Sequence, residues 1–192
     1  MSVIFGREQE LAKLKLILDA KEAQFIALYG RRRIGKTHII REYFKDKGTY
    51  IEVIGTRQAD THTQLQNFAD GLSEGLFNQI PIKTPKNWRS AFKLFTEHIK
   101  RIDPKEKIIL FLDELPWLTT RRSNLLENLD YFWNSQWSKL ANFRLVVCGS
   151  AASWMLYKVI SAKGGLHNRI TLTMLLKPLN LKQTKAFLTK LG

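Results

Sequence analysis

Five short, nearly uninterrupted apolar runs mark the chain, at residues 25–29, 50–54, 108–112, 144–148 and 170–175. Each is bounded by turn-forming or charged residues, and the spacing between them is too long for hairpins, so the pattern predicts parallel strands joined by crossovers. Continuous hydrophobicity predicts that both faces of the sheet are covered. Between the runs, apolar residues recur every three or four positions, as in Leu11, Leu14 and Leu18 or Leu125, Leu129, Phe132, Trp133 and Trp137. That period predicts helices packed on one side, over residues 7–20, 36–47, 61–77, 88–101, 123–140, 152–160 and 181–191. The alternation gives an α/β fold, a three-layer α/β/α sandwich around a parallel five-stranded sheet. The segment 78–87, with two of the five prolines, is the expected irregular excursion.

Composition narrows the class. At 192 residues, 44% apolar and 25% charged, the chain can bury a core without staples. Its single cysteine, Cys148, excludes an internal disulfide and reads as a buried core residue. The charged N-terminus lacks a signal-peptide core, and no apolar run reaches the roughly 20 residues of a membrane span. These features predict a soluble protein of a reducing compartment, the cytoplasm, with no membrane partner. The four histidines show no ligand spacing, so no zinc or iron site is expected.

Charge is more informative by position than in total. Lys and Arg number 31 against 17 Asp and Glu, a net +14. Residues 151–192 hold seven basic and no acidic side chains, half of the excess. Such a segment reads as a solvated face, a surface for an acidic partner, or a polyanion footprint for nucleotide or DNA.

The sharpest motif is Gly30-Arg31-Arg32-Arg33-Ile34-Gly35-Lys36-Thr37, a glycine, four residues, then Gly-Lys-Thr, placed directly between a strand and a helix. That order suits a phosphate-binding loop: the glycines let main-chain N–H groups turn inward, the lysine meets the β- and γ-phosphates, and the threonine hydroxyl suits Mg²⁺. His38 follows on the same helix start. A second motif is the apolar strand ending in Asp113-Glu114. Two carboxylates beside a core need a cation, and the pair suits a Mg²⁺-orienting acid, Asp113, and a base for an attacking water, Glu114. Trp133 and Trp137 read as core. Trp117, in a Pro-containing turn after Glu114, reads as core or as a contact surface.

Together with Phe5-Gly6-Arg7-Glu8, Cys148-Gly149-Ser150-Ala151 and Gly165-Leu166-His167-Asn168-Arg169, these motifs resemble the prokaryotic, archaeal-type AAA+-like P-loop ATPases, relatives of the STAND NTPases. The resemblance runs from residue 3 to about 188. It implies a sheet of order 5-1-4-3-2, ATP and Mg²⁺ as ligands, and further roles by position. Phe5 and Arg7 lie in a linker against the adenine, unless they form an ordinary helix entry. Ser150 is similar to a γ-phosphate sensor, unless it only caps a helix. Arg169 is similar to the arginine that reaches the γ-phosphate from its own chain or a neighbour, unless it is a plain surface residue. The resemblance further implies an ATPase core over 1–178 and, over 179–192, the start of a helical lid that the sequence cuts short. Three activities remain open: a nucleotide-controlled switch for an appended C-terminal domain or partner, a DNA-associated ATPase using its basic C-terminal face, and an oligomeric remodelling motor.

Overall fold

The computed structural model describes residues 4–161 and 165–191. Helix α1 (Glu8–Asp19) leads into β1 (Gln24–Tyr29), followed by α2 (Lys36–Phe44), β2 (Thr49–Ile54), α3 (Thr61–Leu76) and α4 (Trp88–Ile99). Then come β3 (Ile108–Asp113), the one-turn α5 (Leu115–Leu118), α6 (Leu125–Ser135), β4 (Phe143–Gly149), α7 (Ala152–Met155), β5 (Leu172–Leu175) and α8 (Leu181–Leu191). The strands form one sheet in the order β2-β3-β4-β1-β5, with every pairing parallel. This is the expected order, read from the other side.

Alternate side chains of the strands feed two cores. One face places Phe25, Leu110, Leu112 and Phe143 against α3, α4 and α6, in a cluster dominated by Trp88, Phe92, Phe95, Trp133 and Trp137. The other places Ile26, Leu28, Phe111 and Val146 against Leu14 and Ile17 of α1 and Ile39, Ile40 and Phe44 of α2. The helix that follows the glycine-rich loop is thus seated by its own apolar stripe.

The structure departs from the periodicity in three places. The helix expected over 123–140 breaks at Gln136, whose φ of −131° leaves the helical region. A 3₁₀ turn, Trp137–Lys139, then sinks the Trp137 indole into the core, where its Nε1–H donates to Thr96 Oγ1 at 2.8 Å. The helix expected over 152–160 is one α-turn followed by a π-turn, Leu156–Ile160. Strand β5 starts two residues late and is covered on one side only: Met174 is buried while Thr173 and Leu175 are exposed, as suits an edge strand. No helix among the described residues is long and apolar enough to cross a membrane.

Candidate functional site

In a parallel sheet all strands end at one edge, and the loops after β1 and β3 meet there beside the end of β4. Gly30 leaves β1 with φ +148°, and a Cβ at that position would lie 2.4 Å from the carbonyl oxygen of Leu176, so only glycine passes. Gly35 closes the turn at φ +90°, with open space where its Cβ would be. Helix α2 then begins at Lys36.

The polar side chains of this edge hold one another. Lys36 is 6% exposed, and its Nζ donates to the Arg31 carbonyl at 2.8 Å. The Thr37 hydroxyl donates to Asp113 Oδ2 at 2.6 Å, which joins the two motifs directly. Asp113 Oδ1 accepts the Glu114 N–H at 2.9 Å. Burial pushes the Asp113 carboxyl above its ordinary range, against the lowering effect of the Thr37 bond. Cys148, buried beside it, has its thiol pushed well up by the same desolvation.

Glu114 has a left-handed backbone, φ 51° and ψ 52°, which is costly for a residue with a side chain. The turn aims its carboxylate across to the end of β4, where Oε2 accepts the Ser150 N–H at 3.1 Å and the Ser150 hydroxyl at 2.9 Å. Ser150 therefore stands beside the expected base.

A cleft of about 770 Å³ opens over these groups, walled by Lys36, Thr37, Asp113, Glu114, Arg32 and Trp117 among others. The Arg32 guanidinium lies 5.0 Å from the Trp117 ring centroid, a cation–π pair across the mouth. A second cavity of about 230 Å³ shares Gly35 and His38 with the first and is lined by Phe5, Arg7, Leu179 and Phe187. Arg7 is a staple there: its guanidinium donates to the carbonyls of Ile34 at 3.0 Å and Lys177 at 2.8 Å, tying the N-terminal segment to the loop and to the segment that follows β5.

The structure brings the expected site residues Gly30 to His38, Asp113, Glu114 and Ser150 to one place, with Phe5 and Arg7 in the adjoining cavity. Arg169 is not brought to the cleft. It ends the 3₁₀ turn Leu166–Arg169 that precedes β5, and because β5 runs parallel to β1 it lies exposed at the opposite edge of the sheet. Ile54 and Phe187 also line the two cavities, beyond the residues the motifs point to. Ile54 was findable, since it ends β2 in register with Asp113. Phe187 had only its place on the apolar stripe of α8.

A family model for an ATPase domain found predominantly in Archaea matches residues 4–192. The chain belongs to this family. The ATPase domain is 30% identical over 186 residues to an uncharacterised protein of Methanocaldococcus jannaschii, covering 96% of this chain and 38% of that protein. Among solved structures it is similar to the Walker-type ATPase of Pyrococcus abyssi, with a TM-score of 0.65, 20% identity, and 97% of this chain against 57% of that one covered. It is likewise similar to Cdc6p from Pyrobaculum aerophilum, with a TM-score of 0.64, 17% identity and coverages of 98% and 50%. A STAND protein of Pyrococcus horikoshii with a tetratricopeptide repeat sensor gives a TM-score of 0.56, 19% identity and coverages of 100% and 26%. The ATPase domain spans little more than half the length of these relatives at most. The fold follows from these matches.

Proposed function

We propose that the ATPase domain binds ATP with Mg²⁺ and hydrolyses it slowly, as a nucleotide-controlled switch for an appended domain or partner. The donor set fits the ligand: a near-buried lysine held by a single main-chain carbonyl, an open glycine cradle at a helix start, and a Thr–Asp pair of hard oxygens. Lys36 would leave Arg31 for the β- and γ-phosphates, while Thr37 and Asp113 would hold the metal. Bound Mg²⁺ neutralises charge on the phosphate oxygens. Phe5, Leu179 and Phe187 offer apolar surface to the base, and α8 is read as the beginning of the lid.

The observation that carries the switch reading is the Ser150–Glu114 pair. Glu114 is the expected acceptor for a proton of the attacking water, and here its carboxylate is occupied. The Ser150 hydroxyl is also the donor a γ-phosphate oxygen would compete for. Its transfer to phosphate would leave Glu114 held by the Ser150 N–H alone, so turnover waits on a hydrogen-bond exchange. A domain built this way dwells in its ATP state.

Binding of a fluorescent ATP analogue with Mg²⁺ tests the reading: the parent chain saturates and Lys36→Ala loses affinity by at least about tenfold, the worth of one charge-assisted contact. No saturable binding by the parent rejects it. A second reading, assembly, rests on the place of Arg169. From the far edge it would serve a neighbouring subunit's cleft, and ATPase rate per chain would then rise with protein concentration. A flat rate with a monomeric elution volume would leave Arg169 a surface residue.

A further inference from the structure

The basic residues fall differently on the two edges of the sheet. At the edge where strands begin, the loops 20–23, 45–48 and 100–107 interleave lysines with Glu22, Asp46, Asp103 and Glu106. At the edge where strands end, three loops carry Arg31, Arg32, Arg33, Arg57, Arg121 and Arg122, and all six are exposed. None of the six takes part in an ion pair among the described residues. The acids on these three loops and at the end of β3 are otherwise engaged: Asp60 caps α3 through Thr63 N–H, Asp113 is buried, and Glu114 is held by Ser150.

The three loops form one ridge because they pack on α5. Gly55, at the start of the Arg57 loop, sits where a Cβ would be 2.7 Å from the Glu114 carbonyl oxygen and 3.1 Å from Trp117 Cβ. Thr61, at the end of that loop, shares a 2.6 Å hydrogen bond with Thr120, which precedes Arg121. Arg32 rests on Trp117. The ridge crosses from β2 past β3 and β4 to β1, three strand spacings, or about 14 Å.

We infer that this arginine ridge, and not the basic C-terminal segment, binds the phosphate backbone of duplex DNA. The side chains are all guanidinium, the group whose planar fork matches phosphate. A protein partner would need an apolar centre to its contact. The large apolar side chain exposed on these three loops and the strand ends they leave is Ile54, which lines the nucleotide cleft. Unpaired bases would need free aromatic faces for stacking. The aromatic ring on the ridge, Trp117, is already covered by Arg32. A duplex needs neither, and about 14 Å of its axis presents about four phosphates on each strand. The contact is therefore sequence-independent. Arg32 and Arg33 line the cleft, but Arg57, Arg121 and Arg122 lie outside it, so the contact these three make does not depend on ATP hydrolysis.

The test uses the whole chain and a fluorescent duplex of about 20 base pairs, titrated between about 50 and 200 mM salt. Four phosphate contacts predict a log–log slope of about −3.6, or about a hundredfold loss of affinity over that range. The triple variant R57A/R121A/R122A should lose about a hundredfold in affinity at 100 mM salt and flatten the slope by about two. It should keep the parent's circular dichroism and ATP binding. The variant K158A/K177A/K185A, on the C-terminal segment, should bind within about twofold of the parent, as should E114Q, so that an inactive ATPase still binds DNA. Loss of binding in the C-terminal variant with the ridge variant unaffected overturns the inference. So does a single strand of the same length binding more tightly than the duplex, or the absence of binding by the parent at the lowest salt.

Discussion

Arg144 and Lys36 are both buried cations, one on β4 and one beyond the neighbouring β1, at opposite edges of the sheet, and they are treated in opposite ways. Arg144 stands at the start of β4 with no exposed surface, and its guanidinium donates to five carbonyls: Leu18, Ala20, Glu22, Ala141 and Phe143. Burial pushes it down to about 10, still charged at neutral pH. Lys36, at the other edge beyond β1, has one carbonyl within reach, from its own loop. A cation whose two terminal nitrogens are filled by main chain from two segments is a fastener. A cation with one makeshift partner is waiting for a ligand. The same contrast separates Arg7, stapled to Ile34 and Lys177, from Arg32, which among the described residues leans on an aromatic ring alone.

The largest effect expected on the waiting side is from Glu114→Gln. ATP affinity should stay within about twofold while turnover falls at least about a hundredfold, the usual worth of a positioned base. A variant that still turns over at the parent rate removes Glu114 from that role.

On the fastened side, Arg144→Met leaves five carbonyls short of a donor and should cost on the order of 3 kcal/mol. For a domain of this size that lowers the melting temperature by about 10 °C. The nucleotide dissociation constant of the remaining folded protein should not move. A shift in affinity with no loss of stability would reverse the assignment.

The smallest effect distinguishes the two partners of one bond. Ser150→Ala removes the hydroxyl that holds Glu114 and should raise turnover by about fivefold, near the worth of one hydrogen bond. Turnover equal to the parent's would mean the hydroxyl only rests on Glu114.

Much of this was legible in the chain itself. Strand β1 through Thr37 could be read almost residue by residue, because a buried strand, two glycines and a helix start each leave a local mark. The sheet order came from the resemblance and holds. What periodicity could not carry was the break at Gln136, where tertiary packing of Trp137 on Thr96 overrides a helical pattern. Nor could it show the carbonyl cage of Arg144, since main-chain acceptors from α1 and the loop before β4 have no sequence signature. The position of Arg169 was legible and was not used: a residue just before a parallel strand lies at the edge where strands begin, away from a loop that follows one.

The left-handed backbone of Glu114 has a consequence for any attempt to harden this domain. A glycine there would relax the turn, and an asparagine would tolerate it more readily than glutamate does. Screening for heat resistance alone would therefore favour replacements at position 114, and the survivors would be sturdy and inert. The same torsion that aims the carboxylate makes it a dispensable side chain to a selection that never asks for chemistry.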